Sequence, residues 1–301
     1  MNFFKSHGLA TVIALSISAC STMPQQGTTP DQHAQAKDTP AKPFTEKPGE
    51  ISFGNSSADV MYEILIGELA TQRGNASIAS DFYLDAARQS KNPEIAARAV
   101  RISNFAKNKE NALKAAEVWV EAEPDNLEAL RIISVLYLRE NEVDKAQEYL
   151  SKLLKSDNES VGRNILLTGA MLQRETSAEN AEKIARHLIT LFPEQGEAYY
   201  IHASLAIQAD LNEVALESIK KCLALKPEWE DAIILYARIL EENAQGDKAV
   251  AYLKNYLKTN PKSNAVRLAY ARSLTNARKL EEARGQFELL AIKMPDNQDV
   301  L

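Results

Sequence analysis

The sequence predicts an all-α protein built from consecutive antiparallel helix pairs, and three regularities in its 301 residues support this prediction. The first is a proline period, because the last four prolines are spaced 34 residues apart. The second is a pair of small residues in each period, twelve positions apart. The third is a helical spacing of apolar residues on both sides of short polar turns. A fixed period of this length is typical of repeat architectures, in which each unit stacks on its neighbours.

The prolines of the period are Pro193, Pro227, Pro261 and Pro295. Pro124 precedes them by 69 residues, which is two periods with one extra residue and one proline missing near Asn158. Proline lacks the N–H that continues a helix and is favourable at a helix start. These prolines therefore mark the links between units.

Each unit also carries two mostly small side chains, as close helix crossings require. An alanine stands twelve residues before each of the last five prolines, and a further residue stands twelve positions before that alanine. The alanines are Ala112, Ala181, Ala215, Ala249 and Ala283, and the earlier residues are Val100, Gly169, Ala203, Ala237 and Ala271.

The apolar segments between these positions have helical spacing. "DAIILYARIL" and "KAVAYLKNYL" are separated by the polar turn "EENAQGD", and the same arrangement recurs along the chain. The sequence thus predicts about seven units: 60–92, 93–126, 127–161, 162–195, 196–229, 230–263 and 264–297. A non-repeating helical bundle is the alternative fold.

These units resemble the tetratricopeptide repeat family. The resemblance implies a right-handed superhelical solenoid of antiparallel helix pairs over residues 58–301, with no deep cleft. The final "MPDNQDVL" repeats the link "EPDNLEAL" of residues 123–130, so the last unit is expected to lack a cap. A longer array, a covering partner or a self-capping last unit would each account for this end.

The N-terminus predicts export and lipidation. Lys5 precedes an apolar run from Leu9 to Ile17, which has the length of a secretory signal and is too short to span a bilayer. Residues 17–20, "ISAC", resemble the lipobox of bacterial lipoproteins. The resemblance implies a signal peptide over 1–19, a lipidated Cys20 and, since Ser21 rather than aspartate follows, the periplasmic face of the outer membrane. An ordinary secretory signal with an accidental cysteine is the alternative.

Residues 20–57 are predicted to be a disordered tether after the lipidated cysteine. Five prolines fall there among glutamine, threonine, serine and lysine. Such a segment buries too little apolar area to offset the entropy of ordering it.

Composition and charge limit the function classes. Hydrophobic residues make up 45% and charged residues 25%, as in a folded protein, and the formal charge is −6. Removal of residues 1–19 takes away Lys5 and no acid, which leaves −7. This acidity argues against nucleic acid as a partner. With Cys20 lipidated, only Cys222 remains, so no internal disulfide is expected.

The sequence predicts no enzyme, no metal site and no cofactor. His187 and His202 have no cysteine or paired acid at ligand spacing. Ser-x-x-Lys at 218–221 and Ser-Asp-Asn at 156–158 are similar to motifs of penicillin-binding enzymes, but their order is reversed and Lys-Thr-Gly is missing.

The first helix of each unit lines the concave side in the tetratricopeptide family. Residues spaced i, i+4 and i+7 on these helices place several arginines among aliphatic and aromatic side chains. We hypothesise a groove for an extended or helical segment of a partner protein with acidic residues or a free C-terminus. The candidate residues are Arg101, Asn104, Arg131, Leu138, Arg163, Arg174, Tyr200, Ile207, Arg238 and Arg272. The alternative is a solvated face on which each arginine pairs with a nearby glutamate. The Lys and Asn pattern of the carboxylate-clamp subset is not reproduced.

Residues 60–130 resemble the start of proteobacterial outer-membrane lipoproteins with many such repeats. One group of these presents cell-wall hydrolases to a periplasmic carboxy-terminal processing protease. The resemblance implies an outer-membrane-anchored scaffold or adaptor for periplasmic or envelope proteins, with no small-molecule substrate. The alternative is an assembly lipoprotein, either pilotin-like or a component of outer-membrane-protein assembly.

Overall fold

A computed structural model describes residues 57–156 and 160–293, and this part of the chain contains fourteen α-helices and no strand. The prediction of an all-α array of antiparallel helix pairs is confirmed. The predicted signal peptide, Cys20, the tether before Ser57 and residues 294–301 lie outside the described residues. The helices are α1 Ala58–Gln72, α2 Ala76–Ser90, α3 Pro93–Phe105, α4 Lys109–Ala122, α5 Leu127–Arg139, α6 Val143–Ser156, α7 Val161–Glu175, α8 Ala178–Leu191, α9 Gly196–Gln208, α10 Asn212–Leu225, α11 Glu230–Glu242, α12 Gly246–Thr259, α13 Asn264–Asn276 and α14 Leu280–Lys293.

Odd-numbered helices are the first members of the pairs and even-numbered helices the second members. Each helix packs against the next one along the chain, and the first helices α5, α7, α9, α11 and α13 also contact one another in sequence. Second helices make the same kind of contact between α2 and α4 and between α6 and α8. A pair is therefore stabilised both internally and by its neighbours.

Local side chains define where the helices begin. Asn92 accepts hydrogen bonds from the backbone N–H groups of Glu94 and Ile95 at 2.9 and 3.1 Å, and Pro93 occupies the first turn. Asn126 starts α5 in the same way. These caps satisfy N–H groups that have no partner within the helix, so Asn92 and Asn126 fix the starts of α3 and α5.

The turns inside the pairs use a left-handed backbone. Gly74 has φ 73°, and Lys107, Asn141, Asp210, Ala244 and Arg278 have φ between 56° and 61° in the corresponding turns. Glycine adopts this conformation without a Cβ clash, whereas the other residues are held there by the helices on either side.

The small residues of the repeat lie where helices cross. Ala112, Ala181, Ala215 and Ala249 are fully buried and Ala283 nearly so. A Cβ at Gly169 would lie 2.2 Å from Cδ1 of Ile201, so α7 and α9 approach closely only because this position has no side chain. The buried side chains form adjoining clusters along the array, which share Tyr200 and then Leu216 and Tyr236 at their borders.

Cys222 is part of this core. Its side chain is fully buried in α10, and burial raises the pKa of the thiol to about 12. A thiol of this kind behaves as a small apolar side chain. Among the described helices, none is long and apolar enough to cross a bilayer.

Candidate functional site

A pocket of about 360 Å³ lies between α5, α6 and α7. Most of its lining is apolar, and two of the arginines predicted for the groove converge on it. The lining residues are Leu127, Arg131, Val135, Leu153, Leu154, Asn164, Leu167, Thr168, Met171 and Arg174. The volume falls in the range of ~300–1,000 Å³ that is usual for ligand sites.

The pocket exists because α7 packs less closely on the preceding unit than later first helices do. Leu167 stands two residues before Gly169, and Ile201 and Leu235 occupy the equivalent positions in the next two units. Ile201 and Leu235 are each 7% exposed, whereas Leu167 is 58% exposed. An apolar side chain that elsewhere seals the contact between units here borders open space.

The pocket has two arginines, and Arg131 is the one whose guanidinium N–H groups pair with no described carboxylate. It is exposed, and within residues 57–156 and 160–293 no carboxylate lies within 4 Å of its guanidinium. An arginine beside apolar side chains and without a carboxylate partner is suited to bind an incoming anion through a two-pronged hydrogen bond.

Arg174 is held in place by Glu175. Its Nε lies 2.7 Å from Glu175 Oε1, and Nε of Arg139 lies 2.7 Å from Glu175 Oε2. The hydrogen bonds from Arg139 and then Arg174 lower the pKa of Glu175. Glu175 therefore stays ionised at neutral pH. It fixes Arg174 at the rim of this pocket and Arg139 next to it.

Arg139 also lines a second cavity of about 250 Å³ beside α3 and α5. Asn104, another predicted groove residue, lies in this cavity together with Leu136 and Lys107. Through Glu175, the charged rims of the two cavities are linked. The predicted residues Asn104, Arg131 and Arg174 thus fall in neighbouring parts of one region.

The other predicted groove residues lie elsewhere. Leu138 and Ile207 are only 2% and 8% exposed, so their side chains pack in the core. Each follows the small residue of its helix by one turn, where an apolar side chain turns inward while Asn104 stays exposed. Tyr200 is half-buried, with its ring 4.5 Å from that of Trp229. The four remaining arginines are exposed: Arg101, Arg163, Arg238 and Arg272.

The alternative prediction is a solvated face on which each arginine pairs with a glutamate. Arg174, which pairs with Glu175, fits this alternative. In the part of the chain that the structure describes, Arg101 and Arg238, like Arg131, have no carboxylate within 4 Å. Pairing with glutamate therefore does not account for these three side chains.

A buried polar network joins α8, α9 and α10. His202 Nε2 lies 2.9 Å from Glu182 Oε1, and its Nδ1 lies 2.7 Å from Ser218 Oγ. Arg186 donates three hydrogen bonds to Glu182, at 2.7, 2.8 and 3.1 Å. Burial lowers the pKa of His202, against the opposing effect of Glu182.

The order serine, histidine, carboxylate is similar to a catalytic triad. Ser218, His202 and Glu182 are, however, 5%, 4% and 3% exposed, so a substrate has no access to the hydroxyl. We interpret the network as a structural link between three helices. Sequence inspection missed it because Glu182 and His202 meet across two helices, not at a fixed spacing along one. In the described parts of the chain, no group of three or more His, Cys, Asp or Glu side chains is arranged to hold a metal ion.

Paired helices that stack along the chain define a helical-repeat scaffold, a class of protein suited to protein–protein interaction. The sequence profile of the tetratricopeptide repeat family matches residues 230–273, which span α11, α12 and most of α13. This part of the chain is thus similar to a tetratricopeptide repeat.

A curated relative is the "TPR repeat-containing protein PA4667" of Pseudomonas aeruginosa, which is 29% identical over 267 residues. The match covers 89% of this chain and 44% of the relative, so the chain spans less than half of that protein's length. The name of this relative states the repeat and no partner.

Two solved structures match the chain at low sequence identity and with low TM-scores. A tetratricopeptide repeat protein from Parabacteroides merdae is 15% identical, with a TM-score of 0.40 and coverage of 81% of this chain and 96% of that one. PilW, described as a widely conserved type IV pilus biogenesis factor, is 14% identical, with a TM-score of 0.37 and coverage of 81% and 98%. Both scores are below 0.5, and the fold assignment depends on the helix pairing of this chain.

Proposed function

We propose that this protein is a non-enzymatic scaffold, anchored at the outer membrane through lipid on Cys20, that binds segments of periplasmic or envelope proteins. The observation that carries the proposal is the pocket between α5, α6 and α7. It combines an apolar lining with Arg131, which no described carboxylate pairs, and with Arg174 at its rim.

The pocket favours a peptide that has an apolar side chain next to a carboxylate. Leu153, Leu167 and Met171 provide apolar contacts, which stabilise a bound side chain by about 25 cal/mol per Å² buried. Arg131 receives the carboxylate, from either an acidic side chain or a chain terminus. Arg174 adds positive potential while Glu175 holds its Nε.

The membrane anchor is supported by the lipobox resemblance at residues 17–20. One acyl chain binds a membrane only reversibly, whereas two or more give stable anchoring. Replacement of Cys20 by alanine is expected to move the protein from the membrane pellet to the soluble periplasmic fraction, as measured by fractionation and immunoblotting. A Cys20→Ala protein that stays in the pellet would contradict the lipid anchor.

The narrower form of the proposal is an adaptor that presents cell-wall hydrolases to a periplasmic protease. It is supported by the resemblance of residues 60–130 to lipoproteins with that role. A scaffold needs at least two binding regions for this task, and a repeat array offers many surfaces along its length.

Charge reversal at the two arginines of the pocket tests whether the pocket binds a partner protein. We expect the double variant Arg131→Glu and Arg174→Glu to retain no more than about a tenth of the partner protein captured by wild type, because truncation or reversal at an arginine anchor costs about 2 kcal/mol or more. The measurement is quantitative mass spectrometry of proteins crosslinked in intact envelopes.

The matched control is the double variant Arg88→Glu and Arg284→Glu, which changes the net charge equally at exposed sites on α2 and α14. Equal capture by wild type and the pocket variant would contradict the proposed function. Equal loss in both double variants would show a general effect of charge and would also contradict it.

A further inference from the structure

The first helix pair has an exposed apolar face. On α1, Met61, Tyr62 and Leu65 are 53%, 58% and 58% exposed, and Leu69 is 37% exposed. Ile78 on α2 is 43% exposed. Among the described residues no other helix covers these side chains, which we call the α1–α2 face.

The repeat shows what kind of element fits this face. Gly67 is the small residue of α1. Tyr62 precedes it by five residues, Leu65 precedes it by two, and Leu69 follows it by two. The equivalent residues of α3, α9 and α11 are buried: Ile95, Arg98 and Ile102; Ala198, Ile201 and Leu205; Ala232, Leu235 and Ile239. In α7 the equivalent of Leu65 is Leu167, which is exposed where it borders the pocket.

Direct contacts show that the preceding unit buries these positions. Arg98, the equivalent of Leu65, donates a hydrogen bond to Tyr83 of α2 at 2.8 Å and pairs with Glu68 of α1. Ile201, also equivalent to Leu65, packs against Gly169 of α7. The α1 part of the face therefore corresponds to the surface that the preceding unit covers at α3 and α9.

The α2 side of the face leads to the same conclusion. Ile78 is equivalent to Asn111 of α4, whose Nδ2 donates hydrogen bonds to Ser80 and Asp81 of α2 at 3.0 and 2.7 Å. In that interface α2 packs against both α3 and α4. A helix in the corresponding place would pack against both α1 and α2.

Charge specifies the occupant. Asp59 and Glu63 are in the first half of α1, and Asp85 is in the second half of the antiparallel α2, so the three carboxylates gather at one end of the pair. Burial, together with the charges of Asp85 and Asp59, raises the pKa of Glu63, which reflects this proximity. Arg73 is at the opposite end, beside the turn.

Neither this chain's N-terminal segment nor a second copy matches that charge. Residues 20–56 contain three lysines, four acidic residues and five prolines, so they have no excess of positive charge and are poor helix formers. A second copy would bring the same three carboxylates together with Arg73 and Arg88, so its own α1–α2 pair has no excess of positive charge. We propose that the α1–α2 face docks a helix of a partner protein, apolar along one side and rich in lysine or arginine at one end.

The experiment uses two labelled helical peptides of 15 residues, the length of α1. Both have leucines at i, i+3, i+4 and i+7, and their flanking charges are lysine in one and glutamate in the other. Fluorescence anisotropy with the full chain is expected to show at least tenfold tighter binding of the lysine peptide. Leu65→Lys should weaken this binding at least tenfold, and the triple variant Asp59→Asn, Glu63→Gln, Asp85→Asn should remove the preference for lysine.

The matched control is Leu289→Lys, at another exposed leucine, on α14, which should bind like wild type. Equal binding of both peptides, or equal loss in Leu65→Lys and Leu289→Lys, would overturn the proposal.

A dimer in light scattering that Leu65→Lys dissociates would assign the face to a second copy. Tighter peptide binding after deletion of residues 21–56 would assign the face to that segment. Both results overturn the proposal. The pocket variant Arg131→Glu with Arg174→Glu should bind the lysine peptide normally, so the two sites are tested independently.

Discussion

Replacement of Gly169 by valine is expected to lower the free energy of unfolding by about 3 kcal/mol, at the upper end of the usual cost of overpacking. A Cβ at this position would lie 2.2 Å from Cδ1 of Ile201 and 2.8 Å from its Cγ1 and Cγ2. Since three atoms of a buried side chain are involved, a change of rotamer does not remove the clash. The helices α7 and α9 must then separate, which opens the core between two units.

The matched control is Gly285→Ala on α14. A Cβ there would meet no atom within 4 Å, and the residue lies inside a helix. Alanine should therefore stabilise the protein by about 0.5–1 kcal/mol through its higher helix propensity and a less flexible unfolded chain. Urea unfolding followed by circular dichroism measures both variants. A shift of the two midpoints in the same direction would contradict the close crossing of α7 and α9.

Loss of the Glu182 carboxylate is expected to destabilise the protein by about 2 kcal/mol, because it leaves the buried ring nitrogen Nε2 of His202 without its hydrogen-bond partner. In Glu182→Ala, His202 Nε2 loses its partner at 2.9 Å, and the exposed Arg186 loses three hydrogen bonds. Glu182→Gln, which keeps the shape and one acceptor, should lose less. Equal unfolding midpoints for wild type and Glu182→Ala would show that the network adds no stability.

The same network makes stability depend on pH in a defined direction. The folded pKa of His202 is lowered by burial, so the unfolded chain binds this proton more readily than the folded protein. Stability linked to neutral His202 is therefore complete above the unfolded pKa of about 6.5 and is lost as pH falls from there toward the folded pKa.

The change is at most about 1.4 kcal/mol per pH unit for one proton. His202→Gln removes this titration and leaves the surface carboxylates unchanged. Below about pH 6.5, the unfolding free energy of wild type should thus fall more steeply with decreasing pH than that of His202→Gln. Parallel pH curves for the two proteins would contradict a buried neutral imidazole.

The sequence was sufficient for the fold class because similar local requirements recur along the chain. A link proline or asparagine starts a first helix, as at Pro93 and Asn126, and an alanine such as Ala215 permits the close crossing. Each contact of this kind lies within one period or between neighbouring periods. The pattern of one unit therefore predicts the packing of the next.

The candidate site was only partly predictable. Arg131 and Arg174 could be assigned to one face of their helices, but their convergence on a pocket depends on how α7 sits against α5 and α6, as the exposed Leu167 shows. The spacing rule also selected Leu138 and Ile207, which turn into the core, because a face assignment does not fix how deeply a residue is buried. The α1–α2 face was missed since Leu65 has the pattern of a core residue, and only its surroundings show that no described helix covers it.

The most direct test of the central claim is photo-crosslinking from position 167 in living cells. Benzoylphenylalanine in place of Leu167 lies in the pocket between α5, α6 and α7. The control carries the same residue in place of Leu225, at an exposed position of α10. The proposed function predicts a discrete adduct with an envelope protein from position 167, absent from position 225 and abolished by Arg131→Glu; a wall hydrolase or its protease in that adduct would support the adaptor role. No adduct from position 167, or the same adducts from both positions, would contradict a partner-binding pocket.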